Sequence, residues 1–266
     1  MQVIRIPEKN MKVVIKVGTS TLAHSTGRLN IKRMEALCKI ISDLKNAGNE
    51  LILVSSGAIG MGVGKLNLKA RPSDIAGKQA AAAVGQCELM YTYDKLFAEY
   101  NHTVAQILLT AEDLRSEERH KNFENTMKTL LDMGVLPIIN ENDTVATEEI
   151  EIGDNDTLAA IVAVSVDAEL LILLSDIDGL YTADPRLDPK AELIREVREL
   201  SRDVMELGGS AGSSLGTGGM HTKLRAAQIT TASGCDMVIA NGERPDCLYD
   251  ILNGVPTGTR FFAKRV

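Results

Sequence analysis

Residues 11–20 read MKVVIKVGTS, in which Lys16 interrupts an apolar run and Gly18-Thr19-Ser20 follows it. Such a continuous run of valine and isoleucine is typical of a central strand in a parallel sheet. Gly-Thr-Ser predicts the turn at the strand's carboxyl end, where open α/β sheets bind ligands. Because an unpaired buried ammonium is too costly to keep, Lys16 requires an anion there. The alternative is a lysine that snorkels from the strand end to water.

Apolar runs alternate with longer amphipathic segments over the rest of the chain, which is the pattern of repeated strand and helix units. A helix between the first two strands should end at Gly48, and two later helices at Gly134 and Gly234, because glycine readily adopts the left-handed backbone beyond a helix. This pattern predicts an α/β fold. The predicted strands are Val13–Val17, Leu51–Ser55, Val104–Leu109, Val135–Asn140, Leu170–Ser175 and Met237–Ala240.

Three further segments have distinctive composition. Ser73–Tyr100 is long and alanine-rich, and we expect two helices that meet near Gly85. Asp156–Ala168 predicts a short helix that is buried on most sides. The glycine-rich stretch Gly208–Gly219 (GGSAGSSLGTGG) predicts a mobile loop that acts as a lid.

Length and composition place this chain among ordinary globular proteins. Its 266 residues fit one domain spanning residues 1–266, and no apolar run approaches the roughly 20 residues of a membrane span. The amino terminus lacks the apolar core of a secretion signal, so we expect a soluble cytoplasmic protein. Cys38, Cys87, Cys235 and Cys247 form no CxxC pair, which favours reduced structural thiols over a disulfide or metal site.

The charge balance narrows the range of partners. A net charge of −7 and only 3% aromatic residues argue against a nucleic-acid surface, so small molecules are the expected partners. An acidic protein that binds anions must concentrate positive charge locally, at lysines and at helix amino termini beside glycines.

The glycine-rich stretch leads into Met220-His221-Thr222-Lys223, which predicts a helix start. Close backbone N–H groups, the helix end and the Lys223 ammonium together predict a phosphate site. The spacing matches neither a Walker loop nor a Rossmann fingerprint, and a plain loop is the alternative. We expect His221 to be exposed rather than catalytic.

Polar residues follow four of the predicted strand and loop segments. They are Ser55-Ser56-Gly57, Asn140–Asp143, Gly153–Asp156 and Ser175-Asp176. Asn155 and Asp156 could serve only as helix caps, and Asp176 and Asp178 as an ordinary turn rather than a metal site. Taken together, however, this assortment at one sheet edge predicts a binding site.

Six ordered blocks resemble the amino acid kinase family, and within it the enzymes that act on glutamate. The blocks span Val13–Ala227 and read VVIKVGTSTL, LVSSGAIGMG, PIINENDTVA, IGDNDTLAA, LLSDIDGLYTADPR and GTGGMHTKLRAA. The resemblance implies a three-layer αβα sandwich and ATP-dependent phosphorylation of the glutamate side-chain carboxylate, the first step towards proline. Many members continue into an RNA-binding-like (PUA) domain, which we expect to be absent because this sequence ends at Val266.

The resemblance also implies residue roles. Lys16 and Lys223 would bind the ATP phosphates and offset charge on the transferred group, while Asp156 holds both lysines. The implied glutamate-binding residues are Ser56, Asp143 and Asn155. The implied nucleotide-binding residues are Ser175, Asp176, Thr217, Gly218, Gly219, Met220, His221 and Thr222, with Lys16 and Lys223. Mg²⁺ would be held mainly by ATP phosphates and water rather than by protein ligands.

Regulation and assembly follow from the resemblance alone. It implies proline as a feedback inhibitor and a homo-oligomer, either a dimer or a tetramer.

Two alternatives to a glutamate kinase stay open. One is a related kinase for N-acetylglutamate or aspartate, although the Asn140–Asp143 loop favours a free ammonium group. The other is a nucleotide-binding sensor without catalysis, against which both lysines and Asp156 argue.

Overall fold

The computed structural model describes residues 10–24, 28–145, 155–209 and 219–264. Within these ranges eight strands form one sheet, in the order β3-β4-β2-β1-β5-β7-β8-β6. The strands are β1 Lys12–Val17, β2 Glu50–Val54, β3 Val104–Leu109, β4 Leu136–Glu141, β5 Leu170–Ser175, β6 Glu196–Val197, β7 Asp236–Asn241 and β8 Thr259–Phe261. All six predicted strands are present, and each end lies within one residue of its predicted position.

Ten helices connect these strands within the same described ranges. They are α1 Thr19–Leu22, α2 Ile31–Asn46, α3 Ala58–Lys65, α4 Ile75–Ala98, α5 Ala111–Arg115, α6 Glu117–Asp132, α7 Asn155–Ser165, α8 Arg202–Glu206, α9 Met220–Ala232 and α10 Cys247–Leu252. The predicted helix ends at Gly48, Gly134 and Gly234 are confirmed, since each glycine follows a helix with a positive φ. No helix in the described part of the chain has the length and apolarity needed to cross a bilayer.

The sheet is mostly parallel and is covered by helices on both faces. Strand β1 lies at its centre, parallel to β2 on one side and to β5 on the other, as its unbroken apolar sequence predicts. Its side chains alternate between two cores: Val13 and Ile15 pack with α2, α4 and α10, whereas Val14 packs with α6, α7 and α9. The predicted α/β sandwich of three layers is therefore confirmed.

The order of the strands places a crevice at the end of β1. From β1 the chain runs out through β2 to β3 and β4 on one side of the sheet, and later returns to add β5 and β7 on the other side. Where the order reverses in this way, neighbouring loops leave the sheet in opposite directions and open a crevice at the carboxyl ends of the strands. The polar residues after β1, β2, β4 and β5 all follow those ends.

One part of the predicted organisation is wrong. The alanine-rich segment forms a single helix, α4, of 24 residues, and Gly85 lies in its interior rather than at a break. The glycine allows a close crossing with α3 instead, since a Cβ at Gly85 would lie 1.8 Å from the Ala58 carbonyl oxygen. The crossing is reciprocal, because a Cβ at Gly62 would lie 1.8 Å from the Ala81 carbonyl oxygen.

The four cysteines, which all belong to the described residues, are free thiols. Cys38 is buried on α2 and Cys235 is also buried, as expected for structural thiols. Burial raises the pKa of Cys235 to about 12, so this thiol stays protonated and unreactive near neutral pH. Cys87 differs from these two because it is exposed on α4.

The helix crossing predicts opposite effects for two substitutions on α3. Gly62→Ala drives a methyl group into the backbone of α4 and should lower the free energy of unfolding by about 1–3 kcal/mol or more. Gly60→Ala is the matched control, because its Cβ would meet only Thr19 Cγ2 at 3.8 Å. We expect it to be neutral or to stabilise by up to about 1 kcal/mol, since alanine favours helix over glycine. Urea unfolding of both variants tests this, and equal destabilisation would contradict the crossing.

Candidate active site

Two lysines from distant parts of the chain meet at one buried carboxylate. The Lys16 Nζ lies 2.6 Å from Asp156 Oδ1, and the Lys223 Nζ lies 2.9 Å from Asp156 Oδ2. The side chain of Asp156 is only 1% exposed, and those of Lys16 and Lys223 are 11% and 7% exposed. The predicted need of Lys16 for a buried anion is therefore met, and the snorkelling alternative is excluded.

Local structure explains why these three groups converge. Along β1, Lys16 shares the face of Val14, which is covered by α7 and α9. Asp156 lies in the first turn of α7, and Lys223 lies in the first turn and a half of α9. Thr222 completes the cluster, because its hydroxyl lies 3.0 Å from Asp156 Oδ2 and 2.8 Å from the Gly219 carbonyl oxygen.

The electrostatic environment keeps Asp156 ionised. Burial by itself would raise the pKa of this carboxyl, but the charges and hydrogen bonds of Lys16 and Lys223 outweigh burial and lower the pKa to about 2. We call this cluster the Lys16–Asp156–Lys223 triad. It contains two ammonium groups and one carboxylate, so its net charge is +1. Such an excess of buried positive charge favours an anionic ligand beside it.

A cleft of about 870 Å³ opens beside Lys223. The amino end of α9, from Gly219 to Lys223, forms one wall, and the segment after β5, from Ser175 to Arg186, forms the other. The Ser175 hydroxyl donates to Asp176 Oδ1 over 3.1 Å at the floor of this cleft. Helix amino termini and nearby lysines bind phosphate groups, and the volume suits a ligand of nucleotide size.

The loop after β5 is held in one conformation by Asp178. Its Oδ1 accepts a hydrogen bond from Asn241 Nδ2 at 2.8 Å, and its Oδ2 accepts one from the Tyr181 hydroxyl at 3.1 Å. These contacts give Asp178 a structural role in the loop. Tyr181 and Asn241 also line the cleft, and the sequence patterns did not single them out.

A second polar cluster lies on the other side of the α7 amino end. The Asn155 Nδ2 lies 2.6 Å from the Ser55 carbonyl oxygen, 2.8 Å from Ser56 Oγ and 3.0 Å from Asn140 Oδ1. These contacts join the ends of β2, β4 and α7. Asn155 therefore does more than cap a helix, since its side chain ties together three separate elements.

Asp143 follows β4 by two residues and is partly buried. Burial raises the pKa of its carboxyl, and the charge of Arg71 offsets only part of that effect. A carboxylate that is desolvated in this way gains from an additional cation. Asp143 lies three residues after Asn140 of the second cluster, beyond the same strand exit.

The structure thus brings most of the predicted site residues to one edge of the sheet. Lys16, Asp156 and Lys223 are in direct contact, and Asn155 contacts Ser56. His221 is exposed, as predicted. Ser175, Asp176 and residues 219–223 line the cleft. Thr217 and Gly218, like most of the predicted lid Gly208–Gly219, lie outside the described residues.

Two buried polar residues of α4 were missed by the sequence analysis. The Gln86 Oε1 accepts a hydrogen bond from Asn140 Nδ2 at 2.9 Å, and the Tyr93 hydroxyl lies 3.0 Å from Ser55 Oγ. A signal was present, because Gln86 shares the helical stripe of Ala82 and Leu89, which are both buried. A polar residue on such a stripe needs a buried partner.

The chain is similar in sequence to several proteins that are named glutamate 5-kinase. The chain is 56% identical over 253 residues to glutamate 5-kinase of Clostridium acetobutylicum, which covers 95% of each protein. It is 52% identical over 258 residues to glutamate 5-kinase of Clostridium perfringens, with 96% of each covered. A glutamate 5-kinase of Caldanaerobacter subterraneus is 53% identical over 251 residues, covering 94% of this chain and 68% of that protein.

Solved kinase structures share the fold. Carbamate kinase from Giardia lamblia bound to AMP-PNP superposes with a TM-score of 0.66 at 18% identity, over 96% of this chain and 99% of that one. UMP kinase from Ureaplasma parvum gives a TM-score of 0.65 at 14% identity, again over 96% and 99%. At such low identities the likeness supports the architecture and not the substrate.

The sequence model of the amino acid kinase family matches residues 11–241. The match begins one residue before β1 and ends on the last residue of β7. It therefore contains the parallel strands β1 to β5 and β7, together with the triad and the cleft. Together with the identity of more than 50% to its relatives, this match shows that the chain belongs to the amino acid kinase family.

Proposed function

We propose that this protein transfers the γ-phosphoryl group of ATP to the side-chain carboxylate of L-glutamate, giving L-glutamyl 5-phosphate and ADP. The triad is the observation that carries this proposal. It places two ammonium groups within 3 Å of one buried carboxylate, beside a cleft of nucleotide size. Glutamate is proposed as the acceptor because the similar proteins are named glutamate 5-kinases.

The reaction needs no general base in this site. A glutamate side chain has an ordinary pKa of about 4.3, so its carboxylate is already ionised at neutral pH. One carboxylate oxygen forms a bond to the γ-phosphorus while the bond from that phosphorus to the bridging oxygen of ADP breaks. ADP leaves with the electron pair of that bond, and no proton has to move.

The difficulty is that both reactants are anions. Lys16 and Lys223 offset the charge on the phosphoryl group as it passes between donor and acceptor, which is where preorganised positive charge lowers a barrier most. Asp156 holds both ammonium groups at fixed positions, so little reorganisation is needed during the reaction. A protein that only binds a nucleotide has little need of this arrangement, which argues against the sensor alternative.

Mg²⁺ is part of the proposal. It would arrive with ATP, held mainly by phosphate oxygens and water, and would supply further neutralisation of phosphate charge. The carboxylate of Asp176 at the floor of the cleft is an oxygen donor of the kind that this ion accepts. Ser175, Asp176, Gly219, Met220, His221 and Thr222 would surround the nucleotide, with Thr217 and Gly218 from the adjoining segment.

Glutamate would bind in the second cluster. Ser56 and Asn155 offer a hydroxyl and an amide for its polar groups, and Asp143 would pair with its α-ammonium group. This pairing would restore the ionised form that burial disfavours in Asp143. Substrates whose nitrogen is acetylated lack that charge and should bind less well.

The wider proposal concerns biological context. We infer that the chain forms one amino acid kinase domain, works in the cytoplasm as a homo-oligomer and performs the first step of proline biosynthesis. Proline would inhibit by competing at the glutamate cluster, since both ligands are α-amino acids. Equilibrium sedimentation and inhibition by proline at varied glutamate concentrations test these two points separately.

Acceptor choice is tested by ADP release in the presence of ATP and Mg²⁺. We expect turnover with L-glutamate at least about 10-fold faster than with N-acetylglutamate or L-aspartate. N-acetylglutamate lacks the α-ammonium charge, and the side chain of L-aspartate is one methylene too short to bring its carboxylate to the same position. Faster turnover with one of the other acceptors would reassign the substrate. ATP binding without turnover on any acceptor would favour the sensor.

Lys16→Met and Lys223→Met should each lower kcat by roughly 10²–10⁴-fold, because each removes charge that stabilises the transferred group. Either change leaves Asp156 with one lysine, so the buried group becomes a neutral pair and folding should survive. Lys12→Met is the matched control, since Lys12 lies at the opposite end of β1 and contacts the Val166 carbonyl. It should stay within threefold of the unsubstituted protein, and similar rates in all three variants would contradict the role.

Asp143→Ala should raise the KM for glutamate by about 10-fold or more, the expected cost of losing a charge-assisted contact, and leave the KM for ATP within twofold. Steady-state kinetics with each substrate varied in turn measure both constants. Asp132→Ala, an exposed change at the end of α6, serves as control. Equal increases in both KM values would show that Asp143 does not act on the amino acid.

A further inference from the structure

Gln86 is a buried amide that the proposed reaction leaves without a role. It lies in the middle of α4, is 8% exposed, and its Oε1 accepts a hydrogen bond from Asn140 Nδ2 at 2.9 Å. A buried amide is costly unless its hydrogen bonds are made, so its presence on an otherwise apolar stripe calls for an explanation. This contact with Asn140 leads towards the glutamate cluster.

The side-chain amide of Asn140 has a defined orientation. The backbone N–H of Glu141 donates to Asn140 Oδ1 at 3.0 Å, and a backbone N–H can only donate. The carbonyl side of the Asn140 amide must therefore face Glu141 and Asn155, and its NH₂ group must face α4. Gln86 supplies the acceptor on that side, which fixes Asn140 from both ends.

The orientation of Asn140 in turn decides how Asn155 uses its hydrogens. Asn155 Nδ2 has two hydrogens and lies close to three oxygens, those of Ser55, Ser56 and Asn140. The Ser55 carbonyl oxygen and Asn140 Oδ1 can only accept hydrogen bonds. We therefore assign one of the two Asn155 hydrogens to each of them. The hydroxyl hydrogen of Ser56 is not used in this contact and is available to a ligand.

Helix α4 supports the neighbouring strand exit as well. Tyr93 lies seven residues after Gln86, which is two helical turns along the same face, and its hydroxyl lies 3.0 Å from Ser55 Oγ. The close crossing at Gly85 also brings α4 against Ala58, the first residue of α3, which follows the exit of β2 closely. One rigid helix thus holds both strand exits that carry the glutamate cluster.

We infer that Gln86 is a positioning residue for the amino-acid site, acting through Asn140 on Asn155 and Ser56. The inference rests on the proposed function, since it assigns these residues to glutamate. Without the Gln86 oxygen, the NH₂ group of Asn140 loses its buried acceptor, so Asn140 is fixed from one end only and its contact with Asn155 is weakened. The triad contacts neither Gln86 nor Asn140, so handling of ATP should be unaffected.

The variant Gln86→Met tests this, because methionine matches the length of glutamine and lacks the oxygen. We expect the KM for glutamate to rise about 10-fold, with the KM for ATP and kcat within threefold of the unsubstituted protein. Gln228→Met, the same change at an exposed helical position on α9, is the matched control. If Gln86→Met does not fold, Gln86→Leu removes the same oxygen with a smaller side chain and carries the same expectation.

A double-mutant cycle shows whether Gln86 acts through Asn140. In the Asn140→Ala background, Gln86→Met should change the KM for glutamate by less than twofold, because the relay is already broken. An equal effect in both backgrounds, or parallel losses in KM for ATP and in kcat, would overturn the positioning role. Unchanged kinetics of Gln86→Met in a glutamate-active protein would also overturn it. If the unsubstituted protein does not phosphorylate glutamate, the proposed function itself fails and this inference falls with it.

Discussion

A single buried carboxylate, that of Asp156, holds two ammonium groups, and the surplus positive charge of this group sets the design of the site. Removing charges from water is expensive, and the attraction between Asp156 and its two lysines repays only part of the cost. Two ammonium charges share one carboxylate, so one positive charge is not balanced within the triad. An anion bound in the cleft would balance it. The folded protein without a ligand is therefore destabilised at this site, and an anion that binds there relieves the destabilisation, which couples nucleotide binding to the stability of this edge of the sheet.

The topology of the sheet is what makes the triad possible. Lys16 comes from the central strand, Asp156 from the helix before β5, and Lys223 from the helix before β7. Strands β1, β5 and β7 are parallel neighbours, so the helices that precede β5 and β7 both begin at the carboxyl edge of the sheet. Lys16 lies at that same edge, next to the first turns of the two helices. A charge cluster assembled from positions 16, 156 and 223 thus depends on strand order rather than on any local motif.

This dependence explains which features could be predicted from the sequence. Six of the eight described strands could be located to within a residue because they are runs of mostly apolar residues, whereas β6 and β8, of two and three residues, are too short to show such a run. The need of Lys16 for an anion followed from its place in an apolar run. The identity of that anion was implied by family resemblance, since no spacing rule links residues 16 and 156. Gly85 was misinterpreted as a break because its reason for being glycine, the backbone of α3, becomes visible only when the helices cross. The helical stripe of Gln86 signals a buried amide, but its partner could not be predicted because Asn140 lies on a strand 54 residues away.

The first turn of α7 joins the two halves of the site. Asn155 and Asp156 are consecutive, so their side chains leave the helix about 100° apart. One reaches the ends of β2 and β4, where an amino acid would bind, and the other reaches the lysines that would face the phosphates. A helix is stiff over one turn, so the distance between acceptor and donor sites is set by a single peptide unit rather than by a flexible loop. Phosphoryl transfer between two anions depends mainly on positioning, and this short covalent link is the most rigid way the chain has to provide it.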